Sequence, residues 1–318
     1  MATPGDSRPR PLLLAGATAV GKSEVALLLA ERLKGEIISV DSMQVYRGLD
    51  IGTAKPGAAE RARVPHHLID IVELTDTFDA ARFARLAHDA VRAVQARGRV
   101  PILCGGTGLY FKAFLEGLGE APPADAGLRA ELEAASLPEL LEELEKSDPV
   151  TFEKIDRQNP RRVIRALEVI RLTGKPFSTQ RADWSWQGST AGDGCATFFG
   201  LRREPEDLHA RINERVKMMF RRGLVEEVKV LLKHGLAENR TALQAIGYRQ
   251  VVEHLRGERN LAETIELVKI RTRQFAKRQM TWFRRQAQVE WVAVGAGEDV
   301  SAVAGKMVEM YESLSTSK

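Results

Sequence analysis

The chain has 318 residues, enough for one large or two modest domains with a substantial core. Its apolar fraction of 44% and charged fraction of 28% are ordinary for a globular protein, and no apolar run approaches a membrane span, so fibrous, disordered and membrane-spanning classes are set aside. Net charge is only +4 but unevenly spread; two cysteines, Cys104 and Cys195, are too few for a disulfide framework or zinc set, and Ala2 to Asp6 lack a signal peptide's apolar core, so a reducing cytoplasm is expected.

In chain order, the first predicted elements are a buried strand ending at Ala15 and a helix through Glu24 to Ala30. Between them G-A-T-A-V-G-K-S, Gly16 to Ser23, is a phosphate-binding loop in the strand–loop–helix setting that motif needs. Gly16 and Gly21 let the backbone wrap a phosphate, and the amides of Ala17, Thr18, Ala19, Val20 and Gly21 and the helix N-terminus attract the anion. Lys22 supplies a full charge, and the Ser23 hydroxyl can hold Mg²⁺. The loop does not say whose phosphates it holds.

A second strand, Glu36 to Val40, ends at Asp41, which opens D-S-M-Q-V-Y-R-G-L-D-I-G-T-A-K-P. Beside a phosphate loop, Asp41 has two working roles, binding Mg²⁺ through water or acting as a base, and one structural role as a turn cap. His66 and His67 lack a carboxylate cluster at ligand spacing and are assigned no metal. After a helical stretch from Ala80 to Arg97, a third strand over Val100 to Cys104 runs into Gly105, Gly106, Thr107, Gly108, Leu109 and Tyr110. These glycines read as backbone approaching a ligand, with the Thr107 hydroxyl aimed at it. Strands alternating with helices imply a parallel sheet covered on both faces, and ligands in such sheets sit at the carboxyl ends of the strands. The loop at Gly16, Asp41 and the glycine cluster are therefore expected to converge on one crevice.

At Ala121, Pro122 and Pro123 the pattern breaks into leucine-rich acidic helices, followed by a helix started by Asn159-Pro160 that carries Arg161, Arg162 and Arg165. A polar, glycine-rich loop follows over Ser185 to Gly194. Residues 121–194 read as a helical insertion between a first core segment, 1–120, and its return, 195–318. A short fourth strand at Phe198 to Leu201 precedes a region that reads as helical from Glu206 almost to the end. Arg211 and Arg215 share a helix face; with Lys22 they can clamp a leaving pyrophosphate, or else pair with Glu206 and Glu214. From Val268 to Val289 there is no acidic residue, while Lys269, Arg271, Arg273, Lys277, Arg278, Arg284 and Arg285 interleave with Phe275, Trp282 and Phe283. Together with the first basic cluster and Gln244, Gly247, Tyr248, Arg249 and Gln250, this favours a nucleic acid over a plain solvated face.

Taken together, G-A-T-A-V-G-K-S, the Asp41 string, G-G-T-G-L-Y, Q-N-P-R-R-V-I-R-A-L-E-V, A-I-G-Y-R-Q and K-R-Q-M-T-W-F-R resemble the tRNA dimethylallyltransferase (tRNA isopentenyltransferase) family in its bacterial form. The resemblance implies an α/β fold: a P-loop NTPase-like parallel sheet with flanking helices, a helical insertion domain and a helical C-terminal part. It also implies a reaction, transfer of a dimethylallyl group from dimethylallyl diphosphate to N6 of the adenosine 3′ of the anticodon in tRNAs reading codons that begin with U. Pyrophosphate leaves. Asp41 is then the base, Thr107 holds N6, and Lys22 and Arg215 join them in catalysis; Gly16 to Ser23 with Arg211 and Arg215 bind the diphosphate, with Mg²⁺ on Ser23. The family's tRNA contacts map onto Asp41, Ser42, Met43, Gln44 and Thr107, onto Arg129 and Gln158, Asn159, Pro160, Arg161 and Arg162, and onto Gln244, Ala245, Ile246, Gly247, Tyr248 and Arg249. The last segment is Lys277, Arg278, Gln279, Met280, Thr281, Trp282, Phe283 and Arg284. Ala17 stands where many relatives have proline, which alters loop rigidity and not the donors. The partners implied are the anticodon stem–loop of a tRNA and dimethylallyl diphosphate, with no membrane, and a monomer is expected. A small-molecule kinase, an RNA-binding NTPase switch and an enzyme prenylating free adenine nucleotides are the alternatives; each leaves the C-terminal basic segment or Asp41 without a task.

Overall fold

The structure, a computed structural model, describes residues 8–117, 122, 124–180 and 196–316. Ala2 to Asp6, Ala121, Pro123, the polar loop at Ser185 to Gly194, and Cys195 lie outside the described residues. By contacts the chain divides into two compact units, Met1–Leu115 with Trp186–Lys318, and Glu116–Ser185.

The first unit is built on a parallel sheet of β1 (Leu12–Gly16), β2 (Gly35–Val40), β3 (His66–His67), β4 (Val100–Gly105), β5 (Thr197–Arg202) and β6 (Glu290–Ala293) in the order β3-β2-β4-β1-β5-β6. Its crossovers and flanks are α1 (Lys22–Arg32), α2 (Ala58–Arg63), α3 (Ala80–Ala96) and α4 (Gly108–Glu116), the last of which reaches the unit boundary. Successive side chains of a strand point to opposite faces, and β1 is apolar at every position because both faces are covered. Leu13 and Ala15 join Ile38, Leu103, Phe83, Phe111, Phe198 and Phe283 in one core, while Leu12 and Leu14 join Ile102, Phe199, Val25, Leu29, Val303 and Met307 in the other.

The second unit holds α5 (Ala126–Ala134), α6 (Leu137–Ser147), α7 (Pro149–Lys154), α8 (Pro160–Thr173) and α9 (Phe177–Gln180) around Leu132, Leu140, Leu144, Val163 and Leu167. A capping box of Ser136 and Glu139 starts α6, and proline begins α8, whose left-handed C-cap is Gly174. The first unit then closes with α10 (Pro205–Arg221), α11 (Leu224–Leu232), α12 (Tyr248–Leu255), α13 (Leu261–Gln286) and α14 (Val300–Thr316).

Two strands escape the sequence reading. β6 interrupts the region read as helical after Glu206, where Trp291 and its neighbours pair with β5. It is a four-residue edge strand, too short for alternation to show. β3 has two residues and is held by Ile37 and Ile38 of β2.

Candidate active site

β2, β4 and β1 are adjacent, so three connections leave the sheet side by side at Val40, Gly105 and Gly16. The first carries Asp41, the second Thr107, the third the phosphate loop. They are tied directly: Thr107 N–H donates to the Val40 carbonyl at 3.3 Å, and Ser42 N–H donates to Thr107 Oγ1 at 3.3 Å. Asp41, Thr107, Lys22, Ser23, Thr18 and Arg215 line one cavity of about 390 Å³ together with Met43, Gln44, Arg278 and Gln279. Apolar wall is supplied by Leu27, Val216, Met219, Ile246 and Phe275. A second cavity of about 630 Å³, lined by Ala19, Gly21, Glu24, Arg63, Arg211 and Glu214, shares Lys22, Ser23, Leu27, Glu60 and Arg215 with the first.

Within the loop, Lys22 Nζ donates to the carbonyls of Gly16 at 3.0 Å and Ala17 at 2.7 Å. Burial lowers the Lys22 ammonium to about 8, with Arg215 adding to the effect and Asp41 opposing it. Burial also pulls Arg215 below the usual guanidinium value, again against Asp41. These are two desolvated cations with one nearby carboxylate, an arrangement that a polyanion completes. The loop is braced from outside: Arg203 Nε donates to Val20 O and Arg211 Nε to Ala19 O, each at 2.9 Å. Ala19 sits in the left-handed region at φ 64°, so the Arg211 bond holds a strained turn. Val20 N–H donates to Ala17 O, and the Thr18 amide, expected to face the phosphate, donates instead to Gln279 Oε1 at 2.8 Å. The anion-facing donors are thus the amides at the start of α1, which no helix carbonyl satisfies, with Lys22 and Ser23.

Asp41 Oδ1 accepts the amides of Met43 at 2.8 Å and Gln44 at 3.2 Å. The turn-cap role is therefore real, and it coexists with the chemical one, because Oδ2 has no partner among the described residues. Arg215 Nη2 reaches Thr53 O at 3.5 Å, and Gln44 Nε2 donates to the same carbonyl at 3.2 Å. Neither Arg211 nor Arg215 makes the alternative pairing with Glu206 or Glu214. Burial pushes the Cys104 thiol up to about 11, which keeps it protonated at neutral pH although it lines the cavity. Among the described residues no group of three His, Cys, Asp or Glu can hold a metal.

Gly105, Gly106 and Thr107 line the cavity, and the glycines also serve packing. A Cβ on Gly105 would lie 2.0 Å from the Val40 carbonyl oxygen, one on Gly106 2.2 Å from Gln279 Nε2, and one on Gly108 2.2 Å from the Trp282 ring. On the side where a Cβ would stand, the space these glycines leave is filled by β2 and by α13. G-G-T-G and K-R-Q-M-T-W are two halves of one packed joint.

The sequence model of the family described as IPP transferase matches residues 44–286, more than half of the chain. tRNA dimethylallyltransferase 1 of Trichlorobacter lovleyi is 47% identical over 290 residues, spanning 90% of this chain and 94% of that protein. The full-length tRNA isopentenylpyrophosphate transferase of Bacillus halodurans superposes with a TM-score of 0.70 at 39% identity over 97% of this chain and 98% of its own. A eukaryotic dimethylallyltransferase, captured acting on tRNA, superposes with a TM-score of 0.78 at 27% identity over 94% of this chain and 77% of its own. The chain belongs to the IPP transferase family.

The residues that the family resemblance marks for RNA divide by burial. Lys277, Arg278, Thr281 and Arg284 are exposed on α13, as are Gln244 and Arg249 ahead of and on α12, and Arg249 pairs with Glu253. Gln244, Ala245 and Ile246 line the cavity. Gln158, Pro160, Arg161 and Arg162 are exposed at the start of α8 in the second unit, with Asn159 half-buried; Arg129 there is bound to the buried Glu168. Tyr248 and Phe283 present no surface for RNA, since both are fully buried. Tyr248 Oη donates to Glu227 Oε1 at 2.6 Å and accepts Gly52 N–H at 3.1 Å, so it anchors the loop before Thr53. Gly247 is buried beneath it, while Met280 and Trp282 are half-buried against the two cores. Lys269 is buried and bound to Glu266 at 2.5 Å, and Arg273 donates to Asn213 at 2.7 Å, which removes both from the exposed basic face. Arg203 and Glu227 were not singled out by sequence. Arg203 had a signal, because it follows β5, the neighbour of β1; Glu227 had none.

Proposed function

We propose that this chain transfers a dimethylallyl group from dimethylallyl diphosphate to N6 of the adenosine 3′ of the anticodon in tRNAs reading codons that begin with U, releasing pyrophosphate. The observation that carries the reading is a single cavity lined by a carboxylate, Asp41, and by a phosphate loop, Lys22 and Ser23, beside an exposed basic helix. An adenine N6 amine is a weak nucleophile because its lone pair is delocalised into the ring. Thr107 Oγ1 positions N6, and Asp41 Oδ2 accepts its proton as nitrogen bonds to the allylic carbon. The carbon–oxygen bond to the diphosphate breaks as that bond forms, and charge builds on the leaving oxygen. Lys22, Arg215 and the amides at the start of α1 meet that charge with donors already in place.

Ser23 Oγ is a hard oxygen at the cavity wall, and with phosphate oxygens and water it fits Mg²⁺, which keeps most of its shell and takes few protein ligands. Bound there, Mg²⁺ would neutralise part of the diphosphate charge. A base in a stacked loop reaches Asp41 only when extruded, and the basic stripe of α13 holds the backbone while it does so. In this reading the enzyme works as a monomer in the cytoplasm, and no helix among the described residues is long and apolar enough to cross a membrane. Incubation with radiolabelled dimethylallyl diphosphate and total tRNA, followed by nucleoside analysis, tests the reading. Label in N6-(dimethylallyl)adenosine is expected; label only in free nucleotides, or a requirement for ATP, contradicts it.

A further inference from the structure

Gln279 lies on the same helix as the exposed Lys277, Arg278 and Thr281, yet it is buried and turned inward. Its amide is used at both ends. Oε1 accepts the Thr18 amide of the phosphate loop at 2.8 Å, and Nε2 donates to the Gly106 carbonyl, one residue before Thr107, at 2.9 Å. A Cβ at Gly106 would lie 2.2 Å from that nitrogen, so the backbone there is shaped to admit this one side chain. Farther along α13, Arg273 donates to Asn213, which sits between Arg211 and Arg215 on α10.

We propose that Gln279 is a positioning residue for the diphosphate site and not an RNA contact: it bolts the third residue of the phosphate loop to the strand end that carries Thr107, fixing the cradle at a set distance from the reacting base. This rests on the proposed function for its purpose, but not for its test. Both hydrogen bonds are internal to the fold, and an amide left unpaired in a buried site costs enough to loosen the loop.

Gln279→Met keeps the length and packing of the side chain and removes both bonds. Gln279→Glu keeps the acceptor for Thr18 but turns a carboxylate oxygen toward the Gly106 carbonyl and places negative charge beside the diphosphate. Inorganic pyrophosphate and an anticodon stem–loop RNA are titrated separately into the wild-type chain and both variants, with thermal melts to confirm folding. Expected are a roughly tenfold loss of pyrophosphate affinity in Gln279→Met, a larger one in Gln279→Glu, and RNA affinity equal to wild type. With prenyl diphosphate as substrate, its KM rises with the same ranking. Unchanged pyrophosphate affinity in two folded variants overturns the proposal, as does an equal loss of RNA affinity, which makes Gln279 an RNA contact. A wild-type chain that binds pyrophosphate but labels no tRNA contradicts the proposed function alone, and the pyrophosphate titrations still decide the role of Gln279.

Discussion

At the scale of single residues, the site places two half-buried cations against one carboxylate, and Lys22 bears the clearest mark of it. Its ammonium is lowered to about 8 from an unperturbed 10.5 by burial. In the empty protein it is protonated below about pH 8 and loses its charge above. The unfolded chain therefore holds more protons between about 8 and 10.5, and the empty fold gains stability as pH rises through that window. Diphosphate binding has the opposite slope, because the anion needs the proton on Lys22. Pyrophosphate affinity, read as its rise in melting temperature, should be flat up to about pH 8 and weaken above it, by up to about tenfold per pH unit. A flat profile up to pH 10 would contradict an anion held by a Lys22 charge that is lost above about pH 8. Gly16 to Ser23, Asp41 and Thr107 were legible in sequence because a motif specifies them locally. The inward roles of Tyr248, Gln279 and Phe283 were not: which side of a basic, aromatic helix meets the core depends on its partners, and Glu227 and the Thr18 amide lie far away along the chain.

At the scale of elements, α13 does two things with two faces. Ala276, Gln279 and Phe283 face inward, spaced by three and four residues as one side of a helix requires, while Lys277, Arg278, Thr281 and Arg284 remain in solvent. The tRNA contacts that the resemblance implies for Lys277 to Arg284 thus fall on both faces of one helix. Arg278→Ala removes one exposed cation from that stripe and touches nothing in the phosphate loop. It should weaken tRNA binding, reduce the slope of log affinity against log salt by about one, and leave pyrophosphate affinity unchanged. An unchanged slope would put the RNA on another face. The strands β1, β2, β4 and β5 were legible as apolar runs between helical stretches, whereas β3 and β6 are short edge pieces held by neighbours more than by their own pattern. The glycines after β4 were seen correctly as places of close approach, but only the fold shows that Val40 of β2 and the side chains of α13 approach there too.

At the scale of the molecule, strand order does the assembling. Placing β4 between β2 and β1 sets the connections that carry Asp41, Thr107 and the phosphate loop side by side, so segments far apart in sequence meet in one cavity. The central claim is that a base and a leaving-group cradle share this space and act on one bond. Asp41→Asn tests it most directly, because the amide retains an Oδ1 to cap Met43 and Gln44 while losing the ability to take a proton. Single-turnover transfer from dimethylallyl diphosphate to tRNA should slow by roughly 10²–10⁴-fold, with tRNA and pyrophosphate affinities unchanged. Transfer at the wild-type rate, or a loss of tRNA affinity that accounts for the whole defect, would contradict Asp41 as the base and with it the account of the site.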